Sequence, residues 1–392
     1  MGVQPLELIS PVFPQDTLKP KESSQAASIG IGHNWSRYGK DRTRLASSTG
    51  IVGCGVRRDF IRQHFMMEPE KTTEYGKSIL PSASDTAICT LFVGDFHFGL
   101  AAFLNSLVHA GFAGTVWAGY RGPLPPWSGQ LKRGNDQKDE YWITDRVRIV
   151  FIKVNTDIHL TNFKPQFMLN LLANEARDCK YLWYFDPDIF IQVSWPFFAD
   201  WQSNGIALCQ EIANNNLPPD TPQRMSWIRD AASIGFTDPK PLYHYYNGGL
   251  AGVPREYSGF LEDWKRLIEM AGEKYCDLKN MSHGNPEAPF QCCDQDALNI
   301  AAMYSKFPLS TLGPQGMGFI RGIVIMYHTV GKKPWRGSLL MNALKGMPPS
   351  DGFKYYFTQV SSPIRAYSRS ALAAKKLACK IAAFIGRFYR RS

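Results

Sequence analysis

Between residues 87 and 330 the apolar positions follow two alternating rhythms. AICTLFVG (87–94), TVWAGY (115–120) and VRIVFIKV (147–154) are short, nearly unbroken apolar runs. They lack a polar face, so they predict strands buried on both sides. GLAAFLNSLVHAGF (99–112) and KPQFMLNLLANEARD (164–178) instead carry apolar residues at helical spacing, the second with a proline in its first turn. YLWYF (181–185) predicts a fourth strand, and IALCQE (206–211), YHYYNGGLAGV (243–253) and GIVIMYHTV (322–330) predict further ones. EYSGFLEDWKRLIEMAG (256–272) and DQDALNIAAMYS (294–305) predict helices. Alternating strands and helices predict an α/β fold with a mainly parallel, doubly wound sheet. No internal repeat is visible.

Two carboxylates interrupt the fourth apolar run. Asp186 and Asp188 flank Pro187 in YLWYFDPDIFIQV (181–193). A buried carboxylate is costly unless it is paired, hydrogen-bonded or metal-bound. In a doubly wound sheet ligands bind beyond the carboxyl ends of the strands, where YLWYF would deliver both acids. Pro187 cannot donate to a ladder, so the chain should leave the central pairing there. Two hard oxygen donors one residue apart suit Mg²⁺ or Mn²⁺. A second Asp-x-Asp, Asp294 and Asp296, opens the helix at 294–305. An acidic surface turn is the bland alternative for either pair.

Composition narrows the classes. The 392 residues are 44% hydrophobic and 20% charged, which suits a globular body. The net charge is +10, but no acidic residue follows Asp351, and nine Lys and Arg do. The basic balance therefore belongs to the C-terminal stretch, and no nucleic-acid-binding surface across the body is expected. In that stretch Ala374, Leu377, Ala378, Ile381, Phe384, Ile385 and Phe388 share one helical face. Lys375, Lys376, Lys380, Arg387, Arg390 and Arg391 share the other. This predicts a basic amphipathic helix on an anionic membrane surface, with docking onto its own domain as the alternative. None of the eight cysteines forms a CxxC pair or a zinc-like spacing, so reduced, buried thiols are expected. The chain lacks the start of a signal peptide, and no apolar stretch approaches the ~20 residues of a membrane span. A cytoplasmic protein, peripheral on a membrane face, is the expectation. Residues 1–84 read as an extension, with a helical stretch at 56–67 and an incomplete glycine fingerprint at Gly53 and Gly55. Residues 85–345 read as the domain and 346–392 as the tail.

Other features belong at the same sheet edge. Asp95 follows the first strand directly. Asn247 precedes Gly248 and Gly249, which allow close backbone approach to a ligand. Asp294, Gln295 and Asp296 stand at a helix start, where Asp294 could also be an N-cap. His328, Gly331, Lys332 and Lys333 follow an apolar strand. His97, His109, His159, His244 and His283 read as structural.

FDPD (185–188), YNGG (246–249), DQDALN (294–299) and HTVGKKPW (328–335), in that order, resemble the family eight glycosyltransferases. Glycogenin and bacterial lipooligosaccharide galactosyltransferases belong there. The resemblance covers roughly 87 to 340 and implies a GT-A-type fold, a nucleotide-sugar donor, UDP-linked in most members, and transfer with retention. It implies a metal, Mn²⁺ or Mg²⁺, on Asp186, Asp188 and His328, with Asp186 also touching the ribose. Lys333 would hold the diphosphate. One residue rather than two separates Gly331 from Lys333, so Lys332 is the other candidate. Lys164 would be a cationic donor contact, and Asp95 and Gly331 would lie beside the donor. Asn247 and Asp294 would bind sugar hydroxyls, with Gly248 and Gly249 alongside. Gln295 would lie beside the anomeric carbon. Two routes stay open: front-face attack with Gln295 stabilising the cationic sugar, or double displacement through Asp294 or Asp296. The acceptor would be a glycan or glycolipid. The competing classes are a non-catalytic nucleotide-sugar or glycan-binding protein and a sugar nucleotidyltransferase. The latter should carry a glycine-rich basic loop after the first strand, which VGDFHFGL lacks.

Overall fold

The computed structural model describes residues 85–135, 138–212, 217–281 and 287–389. The extension at 1–84, with its helical stretch and glycine pair, lies outside them, as do His283, Arg390 and Arg391. The chain divides into the units Met1–Tyr75 and Gly76–Ser392, and the fold below is that of the second.

In chain order the elements are β1 (Thr86–Val93), α1 (His97–His109), β2 (Gly114–Arg121), β3 (Lys132–Arg133), β4 (Glu140–Trp142) and β5 (Val147–Lys153). Then come α2 (Lys164–Ala173), β6 (Tyr181–Phe185), β7 (Ile189–Ile191), α3 (Trp195–Ser203), β8 (Ile206–Cys209) and α4 (Pro222–Ser233). They are followed by β9 (Leu250–Pro254), α5 (Gly259–Lys274), α6 (Cys293–Tyr304), β10 (Leu309–Leu312) and β11 (Met326–His328). Helices α7 (Leu339–Leu344), α8 (Asp351–Gln359) and α9 (Arg369–Ile385) close the chain.

The main sheet runs β10-β8-β9-β6-β1-β2-β5-β4-β3. Its centre, β6-β1-β2-β5, is parallel, as expected for a doubly wound fold. β9 runs against both β6 and β8, and β8 and β10 pair in parallel. Successive side chains alternate between faces. Ala87, Cys89 and Leu91 join a core with Leu171, Trp264 and Leu298. Ile88 and Phe92 join the opposite core with Leu100, Phe198 and Trp201. Both faces are covered, which is why these strands read as continuous apolar runs.

The differences from the sequence expectation cluster at the site. The strand expected at 243–253 is regular only at Leu250–Pro254, and that expected at 322–330 only at Met326–His328. The first lead-in pairs with the chain after β8 only around Tyr246, after which the Gly248 and Gly249 N–H groups turn to the side chains of Gln295 and Asn247. In the second, Ile325 bonds Gly316 and Gln192 before the ribbon with β7 begins. The helix at 164–178 ends at Ala173. A third apolar cluster joins Phe190, Trp335 and Tyr356 to Cys379 and Ala382, so the C-terminal helices pack on the domain.

β9 approaches β6 closely at one point. A methyl group at Gly252 would stand 2.6 Å from the buried Trp183 ring. Gly252→Ala should therefore destabilise the fold by about 1–3 kcal/mol through overpacking, read as a lowered urea midpoint at unchanged slope. An unchanged midpoint would show that the indole has room to move.

Candidate functional site

The chain leaves β6 through a tight turn. Asp186 N–H donates to the Gly249 carbonyl at 2.8 Å, and Ile189 N–H donates to the Asp186 carbonyl at 3.1 Å. Pro187 ends the central pairing, and β7 pairs antiparallel with β11 instead. The register sets His328 opposite Ile189, one residue beyond Asp188. Thr329 fixes this contact, because its N–H and hydroxyl both donate to the Asp188 carbonyl, at 3.1 and 3.2 Å. A histidine 140 positions downstream of Asp188 thus arrives beside it through a three-residue ribbon.

Asp186, Asp188 and His328 form one cluster. His328 Nε2 lies 3.5 Å from Asp188 Oδ1 and 3.9 Å from Asp186 Oδ2. One ligand atom from each lies within 4.8 Å of the other two. Donors about 2.1 Å from an octahedral cation stand about 3 Å apart when adjacent and about 4.2 Å apart when opposed. The two His328 spacings fall between those values, and two carboxylates plus an imidazole suit Mn²⁺ or Mg²⁺. Gly249 makes the cradle. A methyl group there would lie 2.6 Å from His328 Cε1 and 2.8 Å from both Asp186 Oδ2 and Asn247 Oδ1.

Cations ring the cluster. Lys333 pairs with Asp188 and donates to the Thr329 carbonyl at 2.8 Å. Burial pushes the Asp188 carboxyl up, but His328 and Lys333 more than offset this and hold it below the usual range. Lys164, at the first position of α2, is fully enclosed. Its ammonium reaches Asp294 Oδ2 at 2.8 Å, the Gly248 carbonyl at 2.9 Å and Asp186 Oδ1 at 3.4 Å. Burial disfavours that charge, yet Asp186 and Asp294 raise the Lys164 pKa, so it stays a cation. Burial raises the Asp294 carboxyl, and Lys164 only partly relieves it. Tyr184 donates its hydroxyl to Asp186 Oδ1 at 2.8 Å.

The glycine turn is held from three sides. Asn247 donates through Nδ2 to Glu211 and accepts at Oδ1 from Gly249 N–H at 2.9 Å. Gly248 N–H donates to Gln295 Oε1 at 2.7 Å. These groups line one cleft of about 570 Å³, together with Gly331 and Phe96. Asp186, Asp188, Lys164, Asn247, Gly248, Gly249, Asp294, Gln295, His328 and Lys333 all belong to that lining.

Three sequence candidates stand elsewhere. Asp296 is fully buried, and it accepts from the Tyr245 hydroxyl at 2.6 Å and from the N–H groups of Gln291 and Cys292 at 2.6 and 3.0 Å. It ties down the start of α6, and burial raises its carboxyl to about 6. Lys332 points out to Asn342 Oδ1 at 3.4 Å and Met347 Sδ at 3.1 Å, so Lys333 is the lysine of the cleft. Asp95 sits at the expected sheet edge, but Arg336 clamps it with both prongs of its guanidinium and lowers its pKa.

Other lining residues were not foreseen. Glu211, two residues beyond buried β8, is the first acid past that strand at the carboxyl edge, a signal the sequence did carry. His159 read as structural, yet it lines the cleft and bonds the Thr161 hydroxyl at 2.7 Å, with burial lowering its pKa. Tyr184 and Arg336 line it too.

No family model matches the chain, and no curated protein does. Solved structures are similar to it. The galactosyltransferase LgtC, in complex with donor and acceptor sugar analogues, is 14% identical over 74% of this chain and 99% of its own, with a TM-score of 0.43. The bifunctional glycosyltransferase WbbM is 12% identical over 75% of this chain and 52% of its own, at 0.45. The glycosyltransferase GlyE of Streptococcus pneumoniae is 12% identical over 76% and 64%, at 0.42. All three are glycosyltransferases.

Gly249→Ala should disrupt the cradle and weaken Mn²⁺ binding by about 10- to 100-fold in titration calorimetry, the range for loss of a supporting contact. Unchanged affinity would show that the cluster is not where the metal binds.

Proposed function

We propose that the chain is a metal-dependent glycosyltransferase that moves a sugar from a nucleotide-diphosphate donor, UDP-linked by expectation, to a glycan or lipid-linked acceptor. One observation carries the reading. Asp186, Asp188 and His328 converge on a cleft that also holds Lys333, buried Lys164, Asn247, Asp294 and Gln295. Glycosyl transfer releases a diphosphate and passes through a cationic sugar, so it needs positive charge at one end and electron-rich oxygens at the other.

A bound Mn²⁺ or Mg²⁺ would supply Lewis-acid stabilisation of the departing phosphates, held by Asp186, Asp188 and His328. Lys333 adds fixed positive charge beside them. With a metal neutralising Asp188, Lys333, which pairs with that carboxylate here, would be free to meet phosphate oxygens. Gly331 has φ of +70°, a left-handed turn that places the Lys333 backbone. Asn247 and Asp294 accept from sugar hydroxyls. The Gln295 carbonyl oxygen keeps a lone pair beyond the Gly248 bond for the anomeric centre. We favour front-face attack with retention. Asp296 is enclosed by its own donors and Asp294 is bound to Lys164, so neither is poised as a nucleophile.

A nucleotide-sugar panel with Mn²⁺, read as nucleotide release, should find a donor whose turnover stops with chelator. Asp188→Ala should lower that turnover at least about 100-fold, as the loss of several kcal/mol of Lewis-acid stabilisation requires. Metal-independent turnover that survives the substitution would exclude this site.

A further inference from the structure

The C-terminal helix does two things at once. Its inner side docks, with Cys379 and Ala382 buried in the cluster that also holds Trp335, Leu339 and Ala343. Its outer side carries Leu377, Ile381 and Phe384, which at 3.6 residues per turn fall within about 60° of one another. Phe388, in the tight turn just beyond the helix, packs edge-on against Phe384. They are not grazing residues: Leu377 is 59% exposed, Phe384 55% and Phe388 74%. Folding that leaves large apolar side chains in water along one line has left an interaction surface.

The neighbouring helix extends it. Tyr389 donates its hydroxyl to the Leu344 carbonyl at 2.8 Å, and Pro348 lies against Gly386. The end of α9 therefore lies beside the end of α7, where Leu344 and Met347 are also exposed. Lys376 and Lys380 form the adjoining band of α9, Arg387 follows in the turn beyond it, and Lys345 stands beside Leu344. Among the described residues none of these four cations pairs with a carboxylate, and the sequence offers no acid after Asp351.

We propose that α7 and α9 together form a docking surface for an anionic lipid bilayer, with the apolar line entering the headgroup region and the basic band meeting lipid phosphates. The charge decides the occupant. A second copy of the chain would bring the same uncompensated cations against each other, whereas an anionic membrane complements them. No described helix is long and apolar enough to cross a membrane, so the contact lies in the interface plane. The surface is joined to the cleft. Residues 328–336 carry His328, Lys333 and Arg336 and run directly into α7, and Trp335 packs in the cluster that seats α9. Resting on the proposed transferase function, this makes the acceptor a membrane-anchored one.

Vesicle co-sedimentation of the full chain tests the surface without donor, metal or acceptor, so its outcome is independent of the catalytic reading. Vesicles of phosphatidylcholine with 30% phosphatidylglycerol, a mole fraction of about one in three, should bind the chain at least about tenfold more tightly than pure phosphatidylcholine. That binding should weaken with salt. The double substitution Phe384→Glu, Phe388→Glu should abolish it, and Lys376→Glu with Lys380→Glu should weaken it. All four positions lie off the buried side, and circular dichroism melts should confirm intact folding. Equal binding to both vesicle types, undiminished binding by folded variants, or a dimer broken by Phe384→Glu in place of vesicle binding would overturn the proposal.

Discussion

Desolvation of Asp188 is the constraint on which the site depends. Its carboxylate is 2% exposed, at the end of an apolar strand, in a place where an uncompensated charge would cost several kcal/mol. The fold answers with a three-residue ribbon. β7 and β11 pair so that His328 and then Lys333 come back to the carboxylate, while Thr329 grips the same residue's backbone. The ammonium of Lys333 serves as the neutralising charge in this state, and a divalent cation is the other charge that fits between the same three side chains.

A second balance sits behind the first. Lys164 is enclosed, and only the joint pull of Asp186 and Asp294 keeps it charged. It therefore ties three chain segments together: the end of β6, the glycine turn and the start of α6. The turn is in turn fastened by Gln295 and Glu211. Removing one partner from such a network leaves the others buried and unpaired, which costs more than the lost bond itself. This network holds the proposed donor pocket together, whereas α9 presents exposed apolar and basic side chains to solvent.

Much of this was legible in the sequence because burial on both sides of a sheet leaves an unbroken apolar run. The four central strands follow that signal, and α1, α2, α5 and α6 follow the helical spacing of their apolar residues. The acids at 186 and 188 stood out because they contradict it. What did not show was pairing set by long-range register. Nothing near His328 announces that Ile189 is its partner, and at Gly248 and Gly249 side-chain acceptors take the N–H groups where the apolar residues suggested a continued ladder. Asp296 and Lys332 share a motif with true lining residues, yet one side chain turns into a helix start and the other out to α7. Adjacent positions in a turn or a helix point in different directions, so sequence proximity to a site does not fix membership in it. Glu211 was legible in principle, as the first acid beyond a buried strand.

The claim beneath all of this is that one cation is held jointly by Asp186, Asp188 and His328. Crystals soaked with Mn²⁺ and a nucleoside diphosphate test it most directly by anomalous scattering. The account predicts one strong peak about 2.0–2.4 Å from a carboxylate oxygen of each aspartate and from His328 Nε2. Manganese bound elsewhere, with Lys333 still on Asp188 and the diphosphate outside the cleft, would contradict it.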